Sequence, residues 1–167
     1  MKQSNLTLIG MPGAGKSTVG IILAKTLGMG FVDTDLLIQL HQKKSLQQIL
    51  DATDHLQLRA IEEREILNLE LEHHVIATGG SAAYSDRAMA HLQSISTIVF
   101  LDVSYATLKK RINNFETRGI AKTAEQSFAD LFNERQVLYR KYADLTFDGN
   151  RLNQDDLVAE IAASLLA

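Results

Sequence analysis

The stretch Gly10-Met11-Pro12-Gly13-Ala14-Gly15-Lys16-Ser17 fits the pattern GxxxxGK[ST] at every fixed position. Its setting agrees. Leu6 to Ile9 ahead of it is a short apolar run suited to a strand, and Val19, Ile22, Leu23 and Leu27 behind it recur at helical spacing until Gly28 closes the segment. The ordinary alternative is a glycine-rich turn that only joins a strand to a helix, and the agreement of pattern with context weighs against it. Glycines let the backbone fold into a nest whose amides point at phosphate oxygens, so Gly13, Ala14, Gly15, Lys16, Ser17 and Thr18 are the expected polyphosphate contacts. The helix that follows adds its positive N-terminal end, Lys16 reaches the β and γ phosphates, and Ser17 ligates magnesium. The cofactors expected from the loop are ATP and Mg2+. It leaves open whether the phosphoryl acceptor is water, a protein or a metabolite.

The strand-then-helix alternation continues along the chain. Phe31-Val32 precedes a helix from about Asp35, Val75 to Ala77 precedes Ser85 to Leu92, Thr97 to Leu101 precedes Ser104 to Ile112, and a short strand at Leu145 to Phe147 precedes a last helix opened by Asn153. That order predicts an α/β fold with a parallel sheet. Ser45 with Gln48, and more loosely Asp54 with Gln57, mark further helix starts, and the second of these helices is expected to run to about Leu71. An amphipathic helix is expected from Ser127 to about Tyr142. Between helices, Asn113 to Gln126 has few large apolar residues and no clear period, which suits a loop able to act as a lid.

Composition narrows the function classes. The 167 residues are 46% hydrophobic, enough for the core of one domain spanning 1–167. No apolar run approaches the roughly 20 residues a bilayer span needs, and the start of the chain has no signal-peptide pattern, so the expectation is a cytoplasmic protein with no membrane partner. Disulfides and thiolate zinc sites are excluded because the chain has no cysteine. A formal charge of −3 and scattered aromatics argue against a nucleic-acid partner. His41, His55, His73, His74 and His91 show no metal-ligand spacing and read as surface or helix-end residues.

Four features bear on the acceptor. Asp33 and Asp35 stand at the end of the second strand, where open α/β sheets collect ligands; Asp35 could take or orient a hydroxyl proton, or simply cap a helix, and Asp33 could hold a water on magnesium. Arg59 has an ordinary explanation in ion pairs with Glu62 and Glu63 along its helix. Gly79-Gly80 after the third strand is either a tight turn or a place for close approach of a ligand. Arg135 alone looks like any helix-surface arginine.

In this order the pieces resemble shikimate kinase over nearly the whole chain. The resemblance implies a three-layer α/β/α P-loop NTPase fold like that of nucleoside monophosphate kinases, with a central five-stranded parallel sheet, a mobile lid over about 113–126 and a substrate-binding helical region over about 35–62. It implies that Asp33 supports magnesium and Asp35 contacts the acceptor hydroxyl. Arg59 and Arg135 would bind the substrate carboxylate, with Gly80 of the Gly79-Gly80 pair contacting substrate. Arg118 would reach the ATP phosphates and Arg111 would stack on the adenine. Lys16, Asp35 and Arg118 are then the catalytic set, the partner is a small hydroxylated carboxylate such as shikimate, and the protein is expected to be a monomer. The family's third glycine is Ser81 here, its FR is Leu58-Arg59, its GE is Asp54-His55, its lid RPLL is Arg118-Gly119-Ile120-Ala121, and Val137 replaces a proline. Those changes touch the acceptor pocket and lid, so the rivals are a divergent kinase for another hydroxylated acid of the gluconate type, a nucleoside monophosphate kinase, and a nucleotide-binding regulator without turnover.

Overall fold

A computed structural model describes residues 4–150 and 153–166 of the chain. Strand β1 (Asn5–Ile9) is fully buried, as a strand flanked by neighbours and covered on both faces must be, and its two polar residues are satisfied inside: Asn5 donates to the Leu71 and Ile95 carbonyls and Thr7 shares a hydrogen bond with Ser96. It lies at the centre of a sheet completed by β2 (Gly30–Asp33), β3 (His74–Ala77), β4 (Ser96–Asp102) and β5 (Leu145–Asp148), in the order β2-β3-β1-β4-β5. Every pairing is parallel, with Leu6 opposite both Val75 and Thr97. The five expected strands and the parallel sheet are therefore present.

The helices follow from the crossovers. The step from β1 to β2 through α1 (Lys16–Leu27) runs one way along the sheet, and all later steps run the other way. Right-handed crossovers accordingly put α1 on one face and, on the opposite face, α4 (His55–Leu67), α5 (Asp86–Ile95) and α7 (Phe128–Tyr142). The last helix, α8 (Gln154–Leu166), packs back on α1. The crossover leaving β1 thus lies on the opposite face from those leaving its sheet neighbours β3 and β4, so the loop at the C-terminal end of β1 opens a crevice. Three shorter helices complete the set: α2 (Thr34–Gln42), α3 (Leu46–Ala52) and α6 (Tyr105–Arg111). No helix among the described residues is long and apolar enough to cross a membrane.

Local signals set the helix ends. Ser45 with Gln48 forms a reciprocal capping box and Asp54 accepts from the Gln57 amide. Ser85, Ser104 and Ser127 cap α5, α6 and α7, and Asn153 Oδ1 accepts from the Asp155 amide at the start of α8. Two expectations are corrected. The helix after Asp54 ends at Leu67, not Leu71: the backbone turns at Asn68, sending Leu69 into the core, and His73 takes a left-handed φ of 55° to enter β3. His73-His74 therefore does not end a helix. The cap of α2 is Asp33, whose Oδ1 accepts from the amides of Asp35 and Leu36, so the Asp35 side chain, inside the first turn, has no capping role and is free for other work.

Candidate active site

The loop from Gly10 to Ser17 closes around its own lysine. Gly13 and Gly15 hold φ of 82° and 94°, left-handed values that side chains resist, and so turn successive amides inward. Lys16 Nζ donates to the carbonyls of Gly10 at 2.7 Å and Met11 at 2.9 Å. Burial lowers its pKa to about 8, against the pull of Asp35. A polyphosphate would restore the full charge at the same place.

The loop is one wall of a cavity of about 320 Å³ whose other walls come from stretches of the chain between Asp35 and Arg135. Lys16, Arg111, Arg118 and Arg135 supply cations and Asp35 and Glu62 supply carboxyl groups, so a chain of net negative charge keeps a local cationic basin. Arg135, expected to look like a surface arginine, is 1% exposed and donates from Nη2 to the Ala121 carbonyl at 2.7 Å. A guanidinium buried to that degree needs anionic company, because desolvating an unpaired charge costs several kcal/mol, of the order of 3–5 where a partner is removed. Beside it, Tyr139 donates to the Gly80 carbonyl at 2.5 Å and so fixes the glycine turn.

Glu62 was read from sequence only as an ion-pair partner on its helix. It is instead buried, its Oε2 accepting from Ser81 Oγ while Oε1 meets no donor among the described residues. Oε1 and Asp35 Oδ1 both crowd Gly79, where a Cβ would lie 2.6 Å from Asp35 Oδ1. Burial, and then the charge on Asp33, raise the Asp35 carboxyl to about 6; burial and the charge on Asp35 raise Glu62 to about 7. Two buried carboxyl groups so arranged titrate as a pair.

Ser17 Oγ donates to Asp33 Oδ2 at 2.5 Å, which joins the two residues expected around magnesium. The set is all oxygen and sits at the cavity rim, with no cluster of three or more His, Cys, Asp or Glu among the described residues. It fits Mg2+, which keeps several waters and takes its remaining ligands from phosphate. Arg111 donates from Nη2 to the Gly149 carbonyl at 2.9 Å and from Nη1 toward Gly13 at 3.4 Å, beside the loop. Ala14 is buried behind the loop and Thr18 stands on the cavity wall.

The structure brings the sequence-identified residues together on that wall except Ala14, buried behind the loop, Asp33, which joins it through Ser17, and Arg59. Arg59 does not line this cavity. Its guanidinium lies 3.6 Å over the ring of Tyr84, lining a neighbouring hollow of about 350 Å³ that shares Glu62 and Ser81 with the first. Nor does it pair along its helix, since Glu63 bridges to Arg87 at 3.1 Å.

Across the cavity, the 113–126 segment is docked. It forms no α-helix, only a 3-10 turn at Phe115–Thr117, and buries Ile120 and Ala121, the latter among Ile38, Ile49, Leu58 and Ile61. Gly119 takes φ 73°, and its amide donates to Gln47 Oε1 at 3.1 Å. Proline can adopt neither that φ nor that donation. Gly119→Pro is thus expected to undock the segment, speeding protease cleavage within 113–126 by about tenfold or more. Unchanged cleavage in limited proteolysis would show that the turn is dispensable.

A family model described as shikimate kinase matches residues 12–166. The shikimate kinase of Sulfurihydrogenibium sp. (strain YO3AOP1) is 32% identical over 162 residues, covering 96% of this chain and 97% of the relative. Among solved structures, the shikimate kinase of Acinetobacter baumannii in complex with shikimate aligns with a TM-score of 0.90 at 29% identity, covering 98% of this chain and 93% of that one. The Aquifex aeolicus shikimate kinase aligns at 0.84 and 31%, covering 96% and 95%. The phosphate loop, the acidic pair and the buried arginine thus sit in a chain that matches its relatives almost end to end, and the chain belongs to the shikimate kinase family.

Proposed function

We propose that this protein transfers the γ-phosphoryl group of ATP to a hydroxyl of shikimate, giving shikimate 3-phosphate and ADP. The observation that carries the reading is the single cavity in which Lys16 of the phosphate loop faces Asp35 and Arg135, so that donor and acceptor groups share one space. The acceptor oxygen forms the new bond to phosphorus as the bond to the β-phosphate oxygen breaks, and Asp35 orients the hydroxyl and receives its proton. Lys16 and Arg118 neutralise charge on the transferring group and the departing ADP. Ser17 and Asp33 would hold Mg2+, which when bound draws charge from the β and γ oxygens. Arg111 packs beside the loop on the nucleotide side. Transfer is sequential, with no phosphoenzyme.

On the acceptor side, Arg135 and Arg59 grip the carboxylate and the Gly79-Gly80 backbone allows close approach, fixing the hydroxyl in line with the γ-phosphate. Arg59→Ala is expected to raise the KM for shikimate about tenfold or more with the KM for ATP nearly unchanged. Loss of ATP affinity in a binding titration would contradict that assignment. The whole reading is tested by coupled ADP release with ATP and Mg2+, with and without shikimate and beside a panel of hydroxylated carboxylates. Saturable stimulation by shikimate supports it. A second reading, a kinase for another hydroxylated acid, is favoured by one observation, the Ser81 hydroxyl held on Glu62 beside Gly80, and stimulation by such an acid alone would establish it.

A further inference from the structure

Tyr84 closes the 3-10 turn Ala82–Tyr84 that follows Gly79-Gly80-Ser81, and its amide donates to the Ser81 carbonyl at 3.1 Å. Its ring carries two cations. Arg59 Cζ lies 3.6 Å from the ring centroid and Arg135 Cζ lies 5.4 Å from it. Both fall within the roughly 6 Å over which a ring quadrupole attracts a guanidinium. The phenol also donates to Glu134 Oε1, on α7 immediately before Arg135. One side chain therefore ties together the turn after β3, Arg59 of α4 and the first half of α7.

The two arginines need such a tie. Their guanidinium groups repel each other, and Arg59 Nε and Arg135 Nε are both buried without a partner among the described residues. Arg135 is anchored through Nη2 on Ala121, whereas Arg59 has no ion pair among the described residues: Glu63 holds Arg87 and Ser85, and Glu62 holds Ser81. Leu58, next to Arg59, turns into the small apolar cluster of α2, α3 and α4 and offers it no ring. The stack on Tyr84 is what keeps the Arg59 guanidinium from swinging into solvent. A half-buried planar cation on a ring loses less freedom on binding an anion than one on a free arm.

We propose that Tyr84 is a positioning residue of the acceptor site: its ring holds Arg59 and Arg135 as a preformed pair for the acceptor's carboxylate, while its hydroxyl secures the ring on Glu134. This rests on the acceptor reading of Arg59 given above. Tyr84 lines the neighbouring hollow and not the cavity of Lys16 and Asp35, so its effect falls on acceptor affinity and not on the chemical step.

The test is steady-state kinetics with shikimate at saturating ATP for Tyr84→Ala, Tyr84→Leu, Tyr84→Phe, Arg59→Ala and the double variant Tyr84→Ala/Arg59→Ala. Tyr84→Ala and Tyr84→Leu are expected to raise the KM for shikimate about tenfold, with kcat within about twofold and the KM for ATP unchanged. Tyr84→Phe keeps the ring and should stay within about threefold of wild type. The double variant should fall well short of the product of the two single effects, since Tyr84 acts largely through Arg59. Leucine fills the space without a π face and guards against a folding defect in the alanine variant; leucine behaving like phenylalanine would overturn the proposal. So would an unchanged KM in Tyr84→Ala when Arg59→Ala raises it, or full additivity in the double variant. If Arg59→Ala itself leaves the KM unchanged, it is the acceptor reading of Arg59 that fails, and the role of Tyr84 falls with it.

Discussion

Lys16→Ala is expected to abolish turnover with every acceptor, lowering kcat by about a thousandfold or more, and to do so without weakening the fold. The first part follows from position: Lys16 is the cation that the phosphate loop aims into the cavity, held there by the carbonyls of Gly10 and Met11. The second follows from linkage. Burial brings its folded pKa to about 8 from an ordinary 10.5, so the unfolded chain binds the proton more tightly than the folded one. The charged lysine therefore costs stability below pH 8, and that cost fades as pH rises from about 8 to 10.5. Alanine removes the cost, and gives up in exchange the two hydrogen bonds to the Gly10 and Met11 carbonyls. Thermal melts at pH 7 should give a Tm at or above wild type beside a dead enzyme. Rapid phosphoryl transfer retained in the variant would remove the loop from the mechanism.

Much of this architecture is legible in the sequence, because it rests on short-range rules. Gly10 to Ser17, the strand runs at Leu6, Val75 and Thr97, and the serine caps at positions 45, 85, 104 and 127 each declare themselves within a few residues. What is not legible depends on contacts between distant segments. Leu69 and Leu71 continue the apolar pattern of α4, yet the chain has already turned at Asn68 so that Leu69 can fill the core. Asp33 rather than Asp35 caps α2, a choice made when Asp33 Oδ2 also met Ser17 across the crevice. Arg135 and Glu62 look like exposed members of charged helices, and only the packing of α4 and α7 about the Gly79-Gly80-Ser81 turn buries them. Arg59 was identified through the resemblance, but its contact with Tyr84 joins α4 to a turn beyond β3 that no spacing rule connects.

Asp35→Asn is expected to lower kcat by about a hundredfold or more and, more tellingly, to erase the acid limb of the pH profile. A carboxylate that receives the hydroxyl proton must be ionised first. Burial and the charge on Asp33 lift Asp35 to about 6, and Glu62 nearby is lifted to about 7, so the pair holds back a proton near neutrality. Because both folded values lie above the ordinary carboxylate range, these groups favour the folded state most when protonated. Their contribution to stability therefore declines as pH rises from about 4 toward 7, while competence for transfer increases over the upper part of that window. Wild-type kcat/KM for shikimate should thus fall as pH drops below about 6 to 7, and Asp35→Asn should run low and flat across the same range. Glu62→Gln separates the partners: it removes the second charge while leaving Asp35 in place, so the acid limb should remain but move to lower pH. A limb that survives in Asp35→Asn would assign proton acceptance to another group, and one that ignores Glu62→Gln would show that the two carboxyl groups beside Gly79 titrate independently.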